Sequence, residues 1–168
     1  ISANDVFVNG IRFVNNAGPD GGQAVALRVA DDRIAIYQFS MQGYQDTLLT
    51  AYGIHFFREC EVYGTVDFIF GKSRVVLQNC DIYVRKRTEG TVNMNTAQGR
   101  GQVEDTGIVL RWLPNNDKKS LSTLHHVEYA NRGPGANTTG RVKWSGYHIA
   151  KNSEEIEHFT VENFINGT

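Results

Sequence analysis

The 168 residues read as an all-β chain wound into a parallel β-helix, and three observations predict it. Glycine is frequent, at 17 residues, proline is rare, at three, and helical periodicity is poor before the last twenty residues. Short alternating runs rich in β-branched and aromatic residues recur along the chain, separated by polar or glycine-bearing turns. The runs superpose on one another at a period near 20 residues, made of short strands and not helix-loop units, which is what a parallel β-helix coil needs.

The first run, Val6 to Val14, places Ile11 in the column of Met41 if Ala17 to Gln23 is an inserted loop. The second, Arg33 to Met41, and the third, Ile54 to Tyr63, superpose with Met41 over Val62 and Gly43 over Gly64. The fourth, Arg74 to Val84, sets Cys80 twenty positions after Cys60 and Ile82 twenty after Val62. Leucine-rich repeats share the period but need a regular leucine spacing that is absent. Equivalent positions on stacked coils lie about 4.8 Å apart. That spacing suits a disulfide between Cys60 and Cys80, and two buried thiols are the alternative. Ser153 to Phe164 reads as a short C-terminal helix behind a serine cap, packed against the β-helix.

Composition excludes several functions. A net charge of −1, from 17 basic and 18 acidic residues, argues against nucleic acid as a partner. No apolar run reaches the roughly 20 residues that span a bilayer. The five histidines show no metal-ligand spacing, and His125-His126 on a strand would face opposite sides. Gly133-Pro134-Gly135 lacks the lysine-bearing helix of a phosphate cradle. No cofactor and no metal are expected. The opening Ile1-Ser2-Ala3-Asn4-Asp5-Val6 reads as chain already inside a domain. Asn137-Thr138-Thr139 and Asn166-Gly167-Thr168 are glycosylation acceptors, meaningful on a secretory route.

The same register superposes Gly43-Tyr44-Gln45-Asp46 on Gly64-Thr65-Val66-Asp67, so two aspartates point the same way from neighbouring coils. Carboxylates this close resist ionising together, leaving one protonated and one charged, which is an acid beside a base or nucleophile. Stacked aspartates also serve turn geometry by bonding their own backbone, and repeat logic alone leaves both readings open.

At these residues the sequence resembles the plant-type pectin methylesterases (pectinesterases). Seven blocks occur in order: Asn16-Ala17-Gly18-Pro19 followed by Gln23 to Val29, Tyr44 to Leu48, Gly64 to Gly71, Thr96 to Arg100, Asn131 to Ala136, and Gly140 to Trp144. The resemblance implies a right-handed parallel β-helix that demethylesterifies galacturonate esters of cell-wall pectin and releases methanol. It implies Asp67 as the nucleophile that forms an acyl-enzyme and Asp46 as the proton donor and later base. Gln45 would stabilise the oxyanion, Gln23 would help position the substrate, and Tyr44 would stack on sugar. The Cys60–Cys80 pair matches the family's disulfide pattern. A secreted, cell-wall location follows, with methylesterified homogalacturonan and a pectinesterase inhibitor protein as partners.

The chain also departs from the family. After Gly107-Ile108-Val109-Leu110 the family continues through a Leu-Gly-Arg-Pro-Trp block whose arginine holds the nucleophile and whose tryptophan lines the sugar site. Here Leu110 runs into Arg111-Trp112-Leu113-Pro114, which resembles a later block, so the single domain over 1–168 is read as an incomplete β-helix, internally deleted near 110–111. Asn115 stands where the family has an aromatic and His125-His126 where it has two tyrosines. Arg85, Lys86 and Arg87 are the nearest replacement cations, one coil beyond Asp67, although turn cations are usually solvated. The alternative is therefore a catalytically impaired protein that binds pectin or the inhibitor. A lyase would need calcium-binding carboxylate clusters or a basic catalytic residue, and no convincing arrangement of either is present.

Overall fold

The computed structural model describes residues 1–86, 93–98 and 125–166. In chain order its strands are β1 (Val6–Asn9), β2 (Arg12–Val14), β3 (Leu27–Val29), β4 (Ile34–Tyr37), β5 (Ser40–Gln42), β6 (Leu48–Thr50) and β7 (Ile54–Arg58). They continue with β8 (Glu61–Gly64), β9 (Val66–Gly71), β10 (Arg74–Gln78), β11 (Asp81–Val84), β12 (Met94–Gln98), β13 (His126–Glu128) and β14 (Tyr147–Ile149). Three parallel sheets, ordered β1-β4-β7-β10, β2-β5-β8-β11 and β3-β6-β9-β12, form the walls of a roughly four-turn β-helix. β13 and β14 make a separate parallel pair.

Each alternating run divides into two strands belonging to different sheets. The bend falls on Gly10, Gln38, Glu59 and Asn79, with φ of 72°, 53°, 53° and 52°. A left-handed residue turns an extended chain sharply, so each run wraps a corner instead of crossing as one strand. Coil lengths follow the expected period. Leu27 pairs with Leu48 and Leu48 with Ile69, while Arg74 pairs with Ile54. The first coil is longer in two sheets, with Arg12 beside Ser40, because the extra residues lie between β2 and β3. The inserted loop falls there, as expected.

One register assignment needs correcting. Phe13, not Ile11, occupies the column of Met41, Val62 and Ile82. Gly10 forms the corner equivalent to Gln38, so Ile11 sits in the turn, and it is exposed.

Inward residues stack as columns. Leu27, Val29, Ile34, Ile36, Phe39, Met41, Leu48, Phe57, Val62, Phe68 and Ile69 form one continuous core. At about 25 cal/mol per Å² this burial is the main stabilising force. Cys60 and Cys80 stack as predicted, on adjacent coils, and the Cys60 N–H points at Cys80 Sγ 3.4 Å away. The expected bridge is not formed; both are free thiols. Each is satisfied in that state: Cys60 Sγ lies 3.3 Å from the Arg58 carbonyl and Cys80 Sγ 3.4 Å from that of Gln78. Hydrogen bonding from Cys80 holds the Cys60 thiol below its ordinary range, and the same contact pushes Cys80 up.

The C-terminal helix differs in form. A 3₁₀ segment, Glu154–Phe159, is followed by the single turn α1 (Val161–Phe164). Ser153 makes no side-chain cap; Thr160 caps α1 instead, its hydroxyl accepting the Asn163 N–H. The packing role holds. Phe164 and Ile165 cover Phe56 on the outer face of the first sheet, and the Arg74 guanidinium lies 5.2 Å above the Phe164 ring. No helix among the described residues is long and apolar enough to cross a membrane.

Candidate active site

The corner between the second and third sheets positions the stacked aspartates. Gly43 and Gly64 open it, each four residues before a side chain that folds back over it. A Cβ on Gly64 would meet Phe68 Cβ at 2.1 Å, and one on Gly43 would meet Thr47 Oγ1 at 2.6 Å. Only glycine admits that approach. Asp46 and Asp67 then adopt left-handed backbone, with φ of 62° and 48°. This conformation is costly for most residues and tolerated by aspartate.

The register carries through the corner. The Asp46 N–H donates to the Val66 carbonyl at 3.1 Å, and Leu48 pairs with Ile69. The two aspartates are therefore rung neighbours, as the glycine alignment predicted. Beyond Asp67 the ladder slips: Met94 faces Val66 but Thr96 faces Ile69, so β9 carries one extra residue at Asp67–Phe68. Such bulges re-aim a side chain out of the regular pleat.

Both carboxyl-bearing residues are nearly closed off, Asp46 at 8% exposure and Asp67 at 9%. Burial first, and the negative charge of Asp67 second, push the Asp46 carboxyl above its usual range. One group of the pair is thus held toward its protonated form.

Gln23 and Gln45 face each other across a parallel bridge on the rung below, and the Ala24 N–H donates to the Gln45 carbonyl at 3.1 Å. Gln23 is exposed and Gln45 half-buried. Three consecutive coils therefore present Gln23, then Gln45 with Asp46, then Asp67. The backbone register sets Gln23, Gln45, Asp46 and Asp67 on neighbouring rungs.

Tyr44 is half-buried beside Gln45, and the Arg85 guanidinium lies 4.9 Å over its ring. Arg85 also covers Tyr63 at 5.4 Å, and Tyr63 stacks on Tyr83 with centroids 4.4 Å apart. One face of Tyr44 is thus covered by the protein's own cation. Arg85 is half-buried and held against the two aromatic faces. Lys86 is exposed. Arg87, the 110–111 junction, Arg111-Trp112, Asn115 and Gly167-Thr168 lie outside the described residues.

His125 packs its ring on His148 and Phe159, while His126 packs on Tyr147, the divergence expected of strand neighbours. Burial lowers the His126 pKa and, with Glu128, pushes the Tyr147 hydroxyl up to about 12. Burial opposes the charge on Glu128, but the Arg141 guanidinium, 2.7 Å away, holds the carboxyl below its usual range. This network ties β13 to the following loop, and Arg132 joins it to the helix corner through Asn79 at 2.9 Å. Among the described residues no three His, Cys, Asp or Glu side chains group to hold a metal. Asn137 is exposed, its Oδ1 accepting from the Thr139 N–H and hydroxyl at 2.9 and 2.6 Å. Asn166 is exposed too.

A parallel β-helix with paired corner carboxyls beside glutamine-bearing coils defines the architecture, and comparison gives the family. The pectinesterase family model matches residues 1–112 and 110–168, and the chain belongs to that family. It is similar to the probable pectinesterase/pectinesterase inhibitor 6 of Arabidopsis thaliana, 41% identical over 205 residues and covering 99% of this chain and 37% of that protein. Pectinesterase 2 of Citrus sinensis is 38% identical over 204 residues, covering 94% and 40%. Among solved structures, pectin methylesterase from carrot superposes with a TM-score of 0.77 at 36% identity, covering 96% of this chain and 65% of that one. A pectin methylesterase in complex with a hexasaccharide gives 0.51 at 28%, covering 74% and 38%. The chain thus spans about 40% of the length of these curated relatives.

Proposed function

We propose that this chain is a carboxylic ester hydrolase that demethylesterifies galacturonate in cell-wall pectin through an aspartyl acyl-enzyme. The observation that carries the reading is the in-register pair of buried corner carboxyls, with the raised pKa falling on Asp46. Ionised Asp67 attacks the ester carbonyl carbon, and the oxyanion that forms is met by the Gln45 and Gln23 amides, which stabilise charge without exchanging protons. Collapse breaks the carbon–methoxy bond, and Asp46 protonates the departing oxygen to give methanol. Asp46, now ionised, takes a proton from water. The hydroxide cleaves the acyl-enzyme, freeing a galacturonate carboxyl and restoring Asp67.

The reading includes a secreted protein of the wall, glycosylated at Asn137 and Asn166. It also includes a Cys60–Cys80 bridge, which an oxidising wall would favour. The internal deletion near 110–111 is part of the same reading. It is supported by family matches that meet at 110–112 and by an alignment of 205 positions for a chain of 168. That deletion favours a second reading, an impaired relative that binds pectin or a pectinesterase inhibitor protein without turnover, because the family's Leu-Gly-Arg-Pro-Trp block is missing.

Methanol release from highly methylesterified pectin, wild type against Asp67→Asn, separates them. The esterase reading expects release by the wild type and a loss of about 10³-fold or more in the variant. Equal release by both proteins overturns the nucleophile assignment. Pectin binding with no release by the wild type selects the second reading.

A further inference from the structure

Thr47 follows Asp46 directly and is fully buried. It is bonded to all three coils that supply the site. Its carbonyl accepts the Ala26 and Leu27 N–H groups at 2.9 and 3.2 Å, gripping the coil that carries Gln23. Its hydroxyl reaches the other way, donating to the Tyr63 carbonyl at 3.0 Å on the coil that carries Asp67. The Tyr44 carbonyl, 3.4 Å away on its own coil, is the poorer acceptor. Gly43, whose missing side chain leaves room for this hydroxyl, donates its own N–H to the same Tyr63 carbonyl at 3.2 Å.

The contact is specific to this rung. At the equivalent position on the next coil stands Phe68, which fills the space over Gly64 with a ring and has no hydroxyl to give. Backbone pairing fixes the height of a rung but leaves corner residues some freedom to rotate. A side-chain bond across the corner removes it where two carboxyls must keep one separation.

From this geometry we propose that Thr47 is a positioning residue that fixes Asp46 against Asp67 and aligns the glutamine-bearing coil with them, through its hydroxyl bond to Tyr63 and its carbonyl bonds to Ala26 and Leu27. The proposal rests on the esterase reading for its consequence in catalysis, but not for its consequence in the dyad. Thr47 touches no substrate; it acts through Asp46.

The test compares Thr47→Val, which keeps the shape and removes the hydroxyl, with Thr47→Ser, which restores it. The Val variant leaves the Tyr63 carbonyl accepting from the Gly43 N–H, so that carbonyl keeps a donor and the protein folds; circular dichroism and thermal melting verify this. Two readouts follow. Carboxyl carbon NMR of Asp46 should titrate at lower pH in Thr47→Val than in the wild type, because a loosened corner lets the carboxyls separate and admits water. Thr47→Ser should return it to the wild-type position. On methylesterified pectin, Thr47→Val should lower kcat by about tenfold or more with KM within about twofold, and Thr47→Ser should recover most of kcat. An unchanged Asp46 titration in Thr47→Val, or Val and Ser variants that behave alike, overturns the proposal. A wild type that releases no methanol overturns the esterase reading instead, and the titration still decides the role of Thr47.

Discussion

Replacing Asp46 by asparagine should make the protein more stable while abolishing turnover. Two unit charges one rung apart, about 4.8 Å, repel by about 3.5 kcal/mol at an effective dielectric near 20. Burial of the Asp46 carboxyl adds to this penalty, while solvent screening and relaxation of the corner reduce it, so the expected gain at pH 7.5 is about 1–2 kcal/mol. The sign follows from the direction of the shift. The Asp46 carboxyl is raised in the folded protein, so the folded state holds its proton more tightly than the unfolded chain. The penalty is absent below the ordinary carboxylate range, near 3.8, and grows as pH rises through the folded value. Asp46→Asn removes it, so the gain is full at pH 7.5 and shrinks toward pH 4. Urea unfolding followed by circular dichroism at the two pH values measures this, and a cycle with Asp67→Asn isolates the coupling. A destabilised Asp46→Asn at pH 7.5, together with a coupling energy near zero, would refute the claim that the two carboxyls share one environment.

Two further outcomes follow from the packing. Gly64→Ala should cost about 2–3 kcal/mol or more and remove methanol release, because the added Cβ lands 2.1 Å from Phe68 Cβ in a closed corner; chemical denaturation of the variant checks it. His55 is fully buried between Ile34 and Val75, its Nε2 3.0 Å from the Asp31 carbonyl, and burial lowers its pKa below the ordinary 6.5. Stability should then be full above about pH 6.5 and fall as acid charges the unfolded imidazole first. Melting temperatures between pH 7.5 and 5 should drop less steeply in His55→Gln than in the wild type, with a residual slope from His126, also lowered by burial.

The sequence by itself determined the parallel β-helix, its period and the pairing of Asp46 with Asp67. A repeat fixes register, and register fixes which side chains stack, so Gly43 over Gly64 was enough to place both aspartates on neighbouring rungs. The same logic failed at Ile11, where a long first coil shifted the column by two residues to Phe13. Nor does alternation show that each run divides into two strands, because a single left-handed residue such as Gln38 or Glu59 leaves no trace in it. The tertiary structure alone decided how the corner is held. The bulge at Asp67, the hydroxyl of Thr47 on the next coil, the Arg85 guanidinium over Tyr44 and the thiol state of the cysteine pair depend on contacts between residues sixteen or more positions apart. Local pattern carries stacking; only the packed corner shows which atoms meet within it.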